Sequence, residues 1–404
     1  MSNRNQNKPN LANRMSLFSE SQTIAMAKAG RALAAEGKPI INLSFGEPDF
    51  DTPEYIKNAA KLAIDNGYTK YTPVPGMPEL RDAICAKFER ENNLIFKQNQ
   101  IVVSTGAKQS LMNVMHALVN PKDEVIIPTP YWVSYNDMVK FVDGKPVYIN
   151  AHIEMDFKIT PEQLGNAITP KSKLFVFSSP SNPTGSIYSK SELKQLAAVF
   201  AKNPHVFIIS DEIYEHINYI GKHESIAQFE NIKDRVITVN GLSKGYAMTG
   251  WRLGYLAAHE DIAFACEKIQ GQFTSGTNAM TQKAAITALG EDLSATLKMK
   301  DTFLQRRNFM IKELSSIEGI EINEPEGAFY LFPKINHFFG KKHGNEIIKS
   351  AADLCMYILH TAYVTTVNGA AFGAADYIRI SYAADTEDLK TACKNIKETL
   401  AKLK

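Results

Sequence analysis

Val236-Ile-Thr-Val-Asn-Gly-Leu-Ser-Lys-Gly-Tyr-Ala-Met-Thr-Gly-Trp-Arg252 opens as an apolar run, then passes into small residues, a lysine and, eight positions after that lysine, an arginine. The run Val236–Val239 is short, β-branched and apolar on both faces, as a strand inside a buried parallel sheet must be. Lys244 falls just past its end. An amine condenses with an aldehyde to form a Schiff base. The small neighbours leave room for a flat molecule, and the fork of Arg252 suits a phosphate.

Outward from this stretch the same pattern recurs. Ile101–Val103, Val125–Ile127, Leu174–Phe177, Val206–Ile209 and Tyr255–Ala257 are further short apolar runs. Amphipathic stretches such as Trp132–Val142 and Ser189–Lys202 lie between them. This alternation predicts an open α/β sheet over residues 97–260. After Thr277 the pattern turns mostly helical. A charged, periodic segment, Leu293–Ser316, is placed to bridge two domains. Phe329–Phe332, Tyr363–Val367 and Ile378–Ile380 read as short strands of a smaller α+β domain, joined by Ile40–Leu43. The expected division is an arm over 1–25, partly disordered, a small domain from 26–54 and 301–404, and a large domain over 55–300.

Composition is that of an ordinary globular chain, with 44% apolar and 22% charged residues among 404. A net charge of +2 gives no reason to expect nucleic acid or an anionic membrane as a partner. Cys85, Cys266, Cys355 and Cys393 form no C-x-x-C pair, which argues against a zinc site or a disulfide framework and fits a reducing cytoplasm. No apolar run is long enough to span a membrane. The first dozen residues are polar and read as a tail rather than a transit peptide. Asn42-Leu-Ser44 matches a glycosylation sequon but reads as part of a buried strand.

Ligands of open α/β sheets bind beyond the carboxyl ends of the strands. Five of the apolar runs lead into chemically special residues: Gly106-Ala107-Lys108, Tyr131-Trp132, Asn182, Asp211 with Tyr214, and Ser243-Lys244. Gly106–Lys108 opens a helix whose free N–H groups can hold a phosphate. Tyr131-Trp132 offers an aromatic plane, although an isolated Trp is more often core. Asn182, in a Pro-Ser-Asn-Pro-Thr-Gly turn, can donate to a phenolate or simply make its own turn. Asp211 follows a buried strand, where a carboxylate is costly unless paired; a helix cap is the alternative. A protonated ring nitrogen would pair it.

Taken together these residues resemble class I pyridoxal-phosphate-dependent aminotransferases of fold type I, over nearly the whole chain. Gly241–Gly254 is similar to their lysine-attachment signature, and Asn182–Gly185, Asp211–Tyr214 and Tyr377–Ser381 match further blocks. Ser44–Asp49, Lys70-Tyr71-Thr-Pro, Pro130–Tyr135 and Ala247–Arg252 look like the bacterial aspartate aminotransferase branch. The resemblance implies pyridoxal 5'-phosphate as cofactor, a large mostly parallel α/β/α domain with a smaller α+β domain, and a homodimer with shared sites. It implies Lys244 as Schiff-base lysine and proton carrier, Asp211 on the ring nitrogen, and Tyr214 and Asn182 on the phenolate. Trp132 would stack on the ring. Gly106, Ala107, Ser243 and Arg252 would hold the phosphate, and Tyr71 would reach that of the neighbouring subunit. Arg379 would clamp the substrate α-carboxylate, helped by Asn182, Trp132 and the backbone of Gly46. The residue pattern agrees for Arg379: an arginine inside the apolar run Tyr377–Ile380 is expensive unless it meets an anion.

Specificity rests on Lys108 and Thr23. A lysine in a first helical turn opposes the helix dipole, and in the resembled enzymes the matching lysine reads the distal carboxylate of aspartate or glutamate. Thr23 matches a second contact on it. The expected reaction is a ping-pong exchange between aspartate and 2-oxoglutarate. An aminotransferase for aromatic or other amino acids, prephenate included, and a lyase on the same fold are the alternatives. Ser19 stands where some prephenate-accepting relatives carry a lysine, which weakens the prephenate alternative. Asn368 and Phe273 depart from the family near the expected substrate entrance. Too few residues precede Gly46 for a DNA-binding domain, and no strand leads into G-x-G-x-x-G, which disfavours a nicotinamide dehydrogenase.

Overall fold

The structure is a computed structural model that describes residues 11–18, 20–291 and 293–404; Ser19 and the first ten residues of the tail lie outside them. In chain order the first strands are β1 (Ile41–Asn42), β2 (Ile101–Ser104), β3 (Glu124–Thr129), β4 (Lys145–Asn150), β5 (Ser172–Ser178), β6 (Phe207–Asp211), β7 (Val236–Gly241) and β8 (Gly254–Ala257). β2 to β8 form one seven-stranded sheet, ordered β2-β8-β7-β6-β5-β3-β4. The six apolar runs all became strands of it. β8 differs from the expectation of a parallel strand: it runs antiparallel to both its neighbours, β2 and β7. β4 was not foreseen; it is a largely exposed edge strand, Lys145-Pro-Val-Tyr-Ile-Asn150, without an apolar run to announce it.

Successive side chains on a strand point to opposite faces, and the sheet carries one core on each. Val103, Ile126, Phe175, Phe177, Ile208 and Val236 pack into one. Val102, Val125, Ile127, Val176, Ile209 and Ile237 pack into the other. That is why the strands read as unbroken apolar runs. Full burial of each such side chain is worth about 1.5–3 kcal/mol before chain entropy is subtracted.

A further core gathers Met26, Ile41, Leu43 and residues between Met299 and Leu403. It holds β9 (Tyr330–Leu331), β12 (Val364–Thr365) and β14 (Ile378–Ser381), with the hairpin β10 (Lys342–His343) and β11 (Glu346–Ile347) nearby; β13 (Val367–Asn368) puts Val367 into a smaller cluster with Phe332 and Phe372. β1 pairs with β12, and β14 lies between β13 and β9. The helix Ser294–Ser315 runs past residue 300 and contributes Met299, Phe303, Met310 and Leu314 to this core. The sequon residue Asn42 is engaged: its side-chain oxygen accepts from the hydroxyls of Ser44 and Thr365, both at 2.8 Å. Among the described residues no helix is long and apolar enough to cross a membrane.

Candidate active site

A cavity of about 340 Å³ opens at the carboxyl ends of the parallel strands. All five strand-end clusters reach it: Ala107 and Lys108 after β2, Trp132 after β3, Ser178 and Asn182 after β5, Asp211 and Tyr214 after β6, Ser243 and Lys244 after β7. Gly46, Arg252, Arg379 and, from the first turns of the helix Gln22–Ala35, Thr23 complete the wall.

One end of the cavity is an anion cup. The helix Ala107–Leu118 begins there, and its opening N–H groups have no partner within the helix. Gly106 caps it at φ +86°, and a Cβ at that position would run into the Arg252 guanidinium. Arg252 is steadied by one bond from Nη1 to the Thr249 carbonyl, 2.9 Å. Ser243 is buried beside it. Lys108 is exposed as a whole, yet its ammonium is partly shielded and lies 5.2 Å from the centre of the Trp132 ring. That desolvation, with Arg252 adding to it, lowers its pKa.

At the floor, Asp211 is 4% exposed. Its Oδ2 accepts from the Tyr135 hydroxyl at 2.7 Å and its Oδ1 from the Ile213 N–H at 3.3 Å. Burial pushes its carboxyl up to about 6, against the pull of these bonds. Tyr135 lies within the Pro130–Tyr135 block, but no role was read for it from sequence. A phenol three residues after Trp132 gives no hint that it will meet a carboxylate from another strand.

Lys244 donates from Nζ to the Gly46 carbonyl. Burial lowers its pKa to about 8, with Arg379 and Arg252 helping and Glu47 and Asp211 opposing. The loop that supplies Gly46 is anchored twice. Asp49 takes both arms of the Arg306 fork, at 2.7 and 2.9 Å, and Glu47 accepts from Thr249 at 3.0 Å.

Arg379 is 2% exposed on β14. Its Nη1 donates to Asn182 Oδ1 at 3.0 Å and its Nη2 to the Ser44 carbonyl at 2.7 Å. No carboxylate lies within ion-pair distance of it among the described residues, and its Nε is buried without a hydrogen-bond partner. Arg379 therefore does not face solvent. Tyr330, another residue passed over in the sequence, covers its guanidinium and touches Tyr214.

The remaining sequence candidates lie apart. Tyr131 is not in the cavity wall; it stacks on Tyr148 at 5.7 Å, so Trp132 alone supplies the aromatic plane. Tyr71 is 98% exposed and meets none of the other site residues. Phe273 borders a second, apolar cavity that adjoins the first at Ser21, Lys108, Ser134 and Arg252. Asn368 faces the helix Gln22–Ala35 instead, donating to Gln22 at 3.3 Å.

Residues 38–396 match the family model for aminotransferase class I and II. The chain belongs to the class I and II aminotransferases, which depend on pyridoxal phosphate. It is 45% identical over 97% of its length to the full length of an aspartate/prephenate aminotransferase from Nitrosomonas europaea. It is also 45% identical, over 98% of its length and 83% of the relative's, to a bifunctional aspartate aminotransferase and glutamate/aspartate-prephenate aminotransferase from Petunia hybrida. The crystal structure of the aspartate aminotransferase from Rhizobium meliloti superposes with a TM-score of 0.95 at 42% identity, covering 98% of this chain and 100% of that one.

The donors in the cavity fit this cofactor. A buried carboxylate without a cation, a helix N-terminus beside an arginine, and a shielded lysine of lowered basicity correspond to its ring nitrogen, phosphate and aldehyde.

Proposed function

We propose that the chain transfers the amino group of aspartate to 2-oxoglutarate in two half-reactions that share this cavity. The observation that carries the reading is a pair of cations in separate walls. Arg379, from β14, is buried beside Asn182; Lys108, from the helix after β2, stands over Trp132. A dicarboxylic substrate supplies one carboxylate for each. The relatives named above as aspartate aminotransferases support the same choice.

Pyridoxal phosphate, when bound, supplies an electron-withdrawing ring that stabilises negative charge at the substrate α-carbon. The Gly106–Ala107 turn and the backbone N–H of Lys108, with Ser243 and Arg252, would hold its phosphate. Asp211 would keep a proton on the ring nitrogen, Tyr214 and Asn182 would donate to the ring oxygen, and Trp132 would cover one face. Lys244 anchors the aldehyde. Its Nζ would also hold and move the substrate α-proton as general base; a pKa near 8 suits a base that must work close to neutrality. Arg379, with Asn182 and the Gly46 backbone, orients the α-carboxylate. Lys108 and Thr23 meet the distal carboxylate.

We also place Tyr71 at the phosphate of a second copy of the chain, in a homodimer; an aromatic left 98% exposed by its own chain supports that. The division into a 55–300 domain and a 26–54 plus 301–404 domain follows the separate cores. Four free cysteines support a cytoplasmic location. Prephenate as an additional substrate is favoured by the adjoining apolar cavity of about 610 Å³, lined by Phe18, Met112, Met138, Phe141 and Phe273, which has room for a ring.

A panel of single amino acids, mixed with the loaded enzyme, tests the choice through the change in cofactor absorbance. Aspartate and glutamate are expected to react fastest. Lys108→Ala should slow these two by about 10–100-fold, the worth of a desolvated charge-assisted contact, and leave alanine unchanged. Equal losses for alanine and aspartate would remove Lys108 from substrate selection.

A further inference from the structure

Tyr330 is fully buried on β9. Its register explains where it points. On the antiparallel neighbour β14 it pairs with Ser381, so Arg379 sits on the same face, two residues along. The Arg379 guanidinium lies 4.5 Å from the centre of the Tyr330 ring. At the other end of the ring, the hydroxyl stands 2.7 Å from that of Tyr214. The same hydroxyl closes over Gly46, where a Cβ would come within 2.6 Å of it. One side chain thus touches the arginine, the phenol and the loop that receives the Lys244 ammonium.

We propose that Tyr330 is a positioning residue that ties the carboxylate clamp to the phenol, its ring face fixing Arg379 and its hydroxyl fixing Tyr214. The proposal deepens the function given above and rests on Arg379 as the carboxylate ligand. The ring face attracts the guanidinium and limits its rotation, so the donors not committed to Asn182 and Ser44 are held in place at the cavity wall. The hydroxyl acts differently. When it donates to Tyr214, the Tyr214 proton is left free for an acceptor in the cavity, and hydrogen bonds in such a chain strengthen one another.

Two variants of the holoenzyme separate the two contacts. Tyr330→Phe keeps the ring and removes the hydroxyl; Tyr330→Leu removes both. The first readout is the midpoint of the pH-dependent absorbance change of the bound cofactor, without substrate. The second is the dissociation constant for maleate, a diacid with no amino group. Asp211, Lys244, Glu47 and Arg379, the charged groups around the tyrosine pair, are present in both Tyr330 variants.

Tyr330→Phe should move the midpoint upward by about half a unit, because Tyr214 becomes a poorer donor to the oxygen it faces. It should leave maleate binding within about twofold. Tyr330→Leu should move the midpoint likewise and weaken maleate by about fivefold or more. An unchanged midpoint in Tyr330→Phe overturns the hydroxyl link, and unchanged maleate binding in Tyr330→Leu overturns the ring contact. Equal loss of maleate in both variants, in step with a lower melting temperature, would make Tyr330 ordinary packing and overturn both. Arg379→Ala is the control. If it binds maleate as the wild type does, the clamp reading fails and takes the ring contact with it, while the midpoint still judges the hydroxyl.

Discussion

Two groups of buried charges share the segment Asp211-Glu-Ile-Tyr-Glu-His216, and they are built on opposite plans. Behind the segment, Glu91, Glu212 and Glu215 meet Lys87, His216 and His223. Lys87 is fully buried against Glu215, His216 lies 2.8 Å from Glu91, and His223 lies 3.0 Å from Glu212. Every acid there has a basic side chain of the same cluster within ion-pair distance. Two triads, Glu91/Glu215/His216 and Glu212/Glu215/His223, have the side chains of a metal site, but Lys87 already provides the positive charge between them. In front of the segment, Asp211 has only neutral donors, and Arg379 and Lys244 have only carbonyl and amide acceptors. Burial without a counter-charge is costly. The rear cluster closes on itself and serves structure; the front cluster is left open and serves a ligand.

The largest test of that contrast is at Lys244. Lys244→Ala should abolish the cofactor-linked visible band and lower turnover by more than about 10⁴-fold, the combined worth of a covalent anchor and a general base. A variant that kept the band would place the attachment elsewhere. At the rear, Lys87→Met strands Glu215 in the interior and should cost about 3–5 kcal/mol of stability, read by urea denaturation. The double variant Lys87→Met/Glu215→Gln should recover part of this. Neither should change the ranking of amino acid substrates, and a change in ranking would erase the distinction between the clusters.

Removing the cofactor sharpens the comparison through pH. In the cofactor-free protein the Asp211 carboxyl rises from an ordinary 3.8 to about 6 through burial. The folded state therefore keeps this proton to a higher pH than the unfolded chain does. The resulting stability is fully present below pH 3.8 and is lost as pH rises through about 6, a loss of roughly 3 kcal/mol. Cofactor-free Asp211→Asn should accordingly be more stable than wild type at pH 7 and not at pH 4. The advantage should vanish when both are loaded, because the ring cation neutralises the carboxylate. His223, drawn upward by Glu212 despite its burial, behaves in the same direction. Its contribution is present below the ordinary histidine pKa and is lost as pH rises through the folded value, with or without cofactor.

The smallest effect is expected at Tyr135. Tyr135→Phe removes one hydrogen bond to Asp211, worth about 0.5–1.5 kcal/mol. Cofactor affinity should fall by roughly 2–10-fold, with substrate preference intact. No change would mean that the Ile213 N–H alone suffices to hold Asp211 as a carboxylate.

Local chemistry made much of this chain legible. The six apolar runs are strands because a sheet buried on both faces requires continuous β-branched and apolar residues. The strand ends carry the polar residues because that is where such a sheet opens to a ligand. Asp211 and Arg379 could be singled out because each is an expensive group beside or within an apolar run, and Lys244 and Asn182 because they follow one. β4 escaped because an exposed edge strand carries no apolar run, and the direction of β8 escaped because a run of apolar residues has no polarity.

The tertiary structure alone decided which expensive groups face one another. Nothing near Tyr135 or Tyr330 in the chain announces Asp211 or Arg379; the first meeting joins β6 to the helix after β3, and the second follows from the register of β9 on β14. The sequence by itself determined the sheet, the lysine and the chemistry it invites, since these depend on residue type and near neighbours. The partner of each buried charge depends on strand order and register, which separate the open cluster from the closed one.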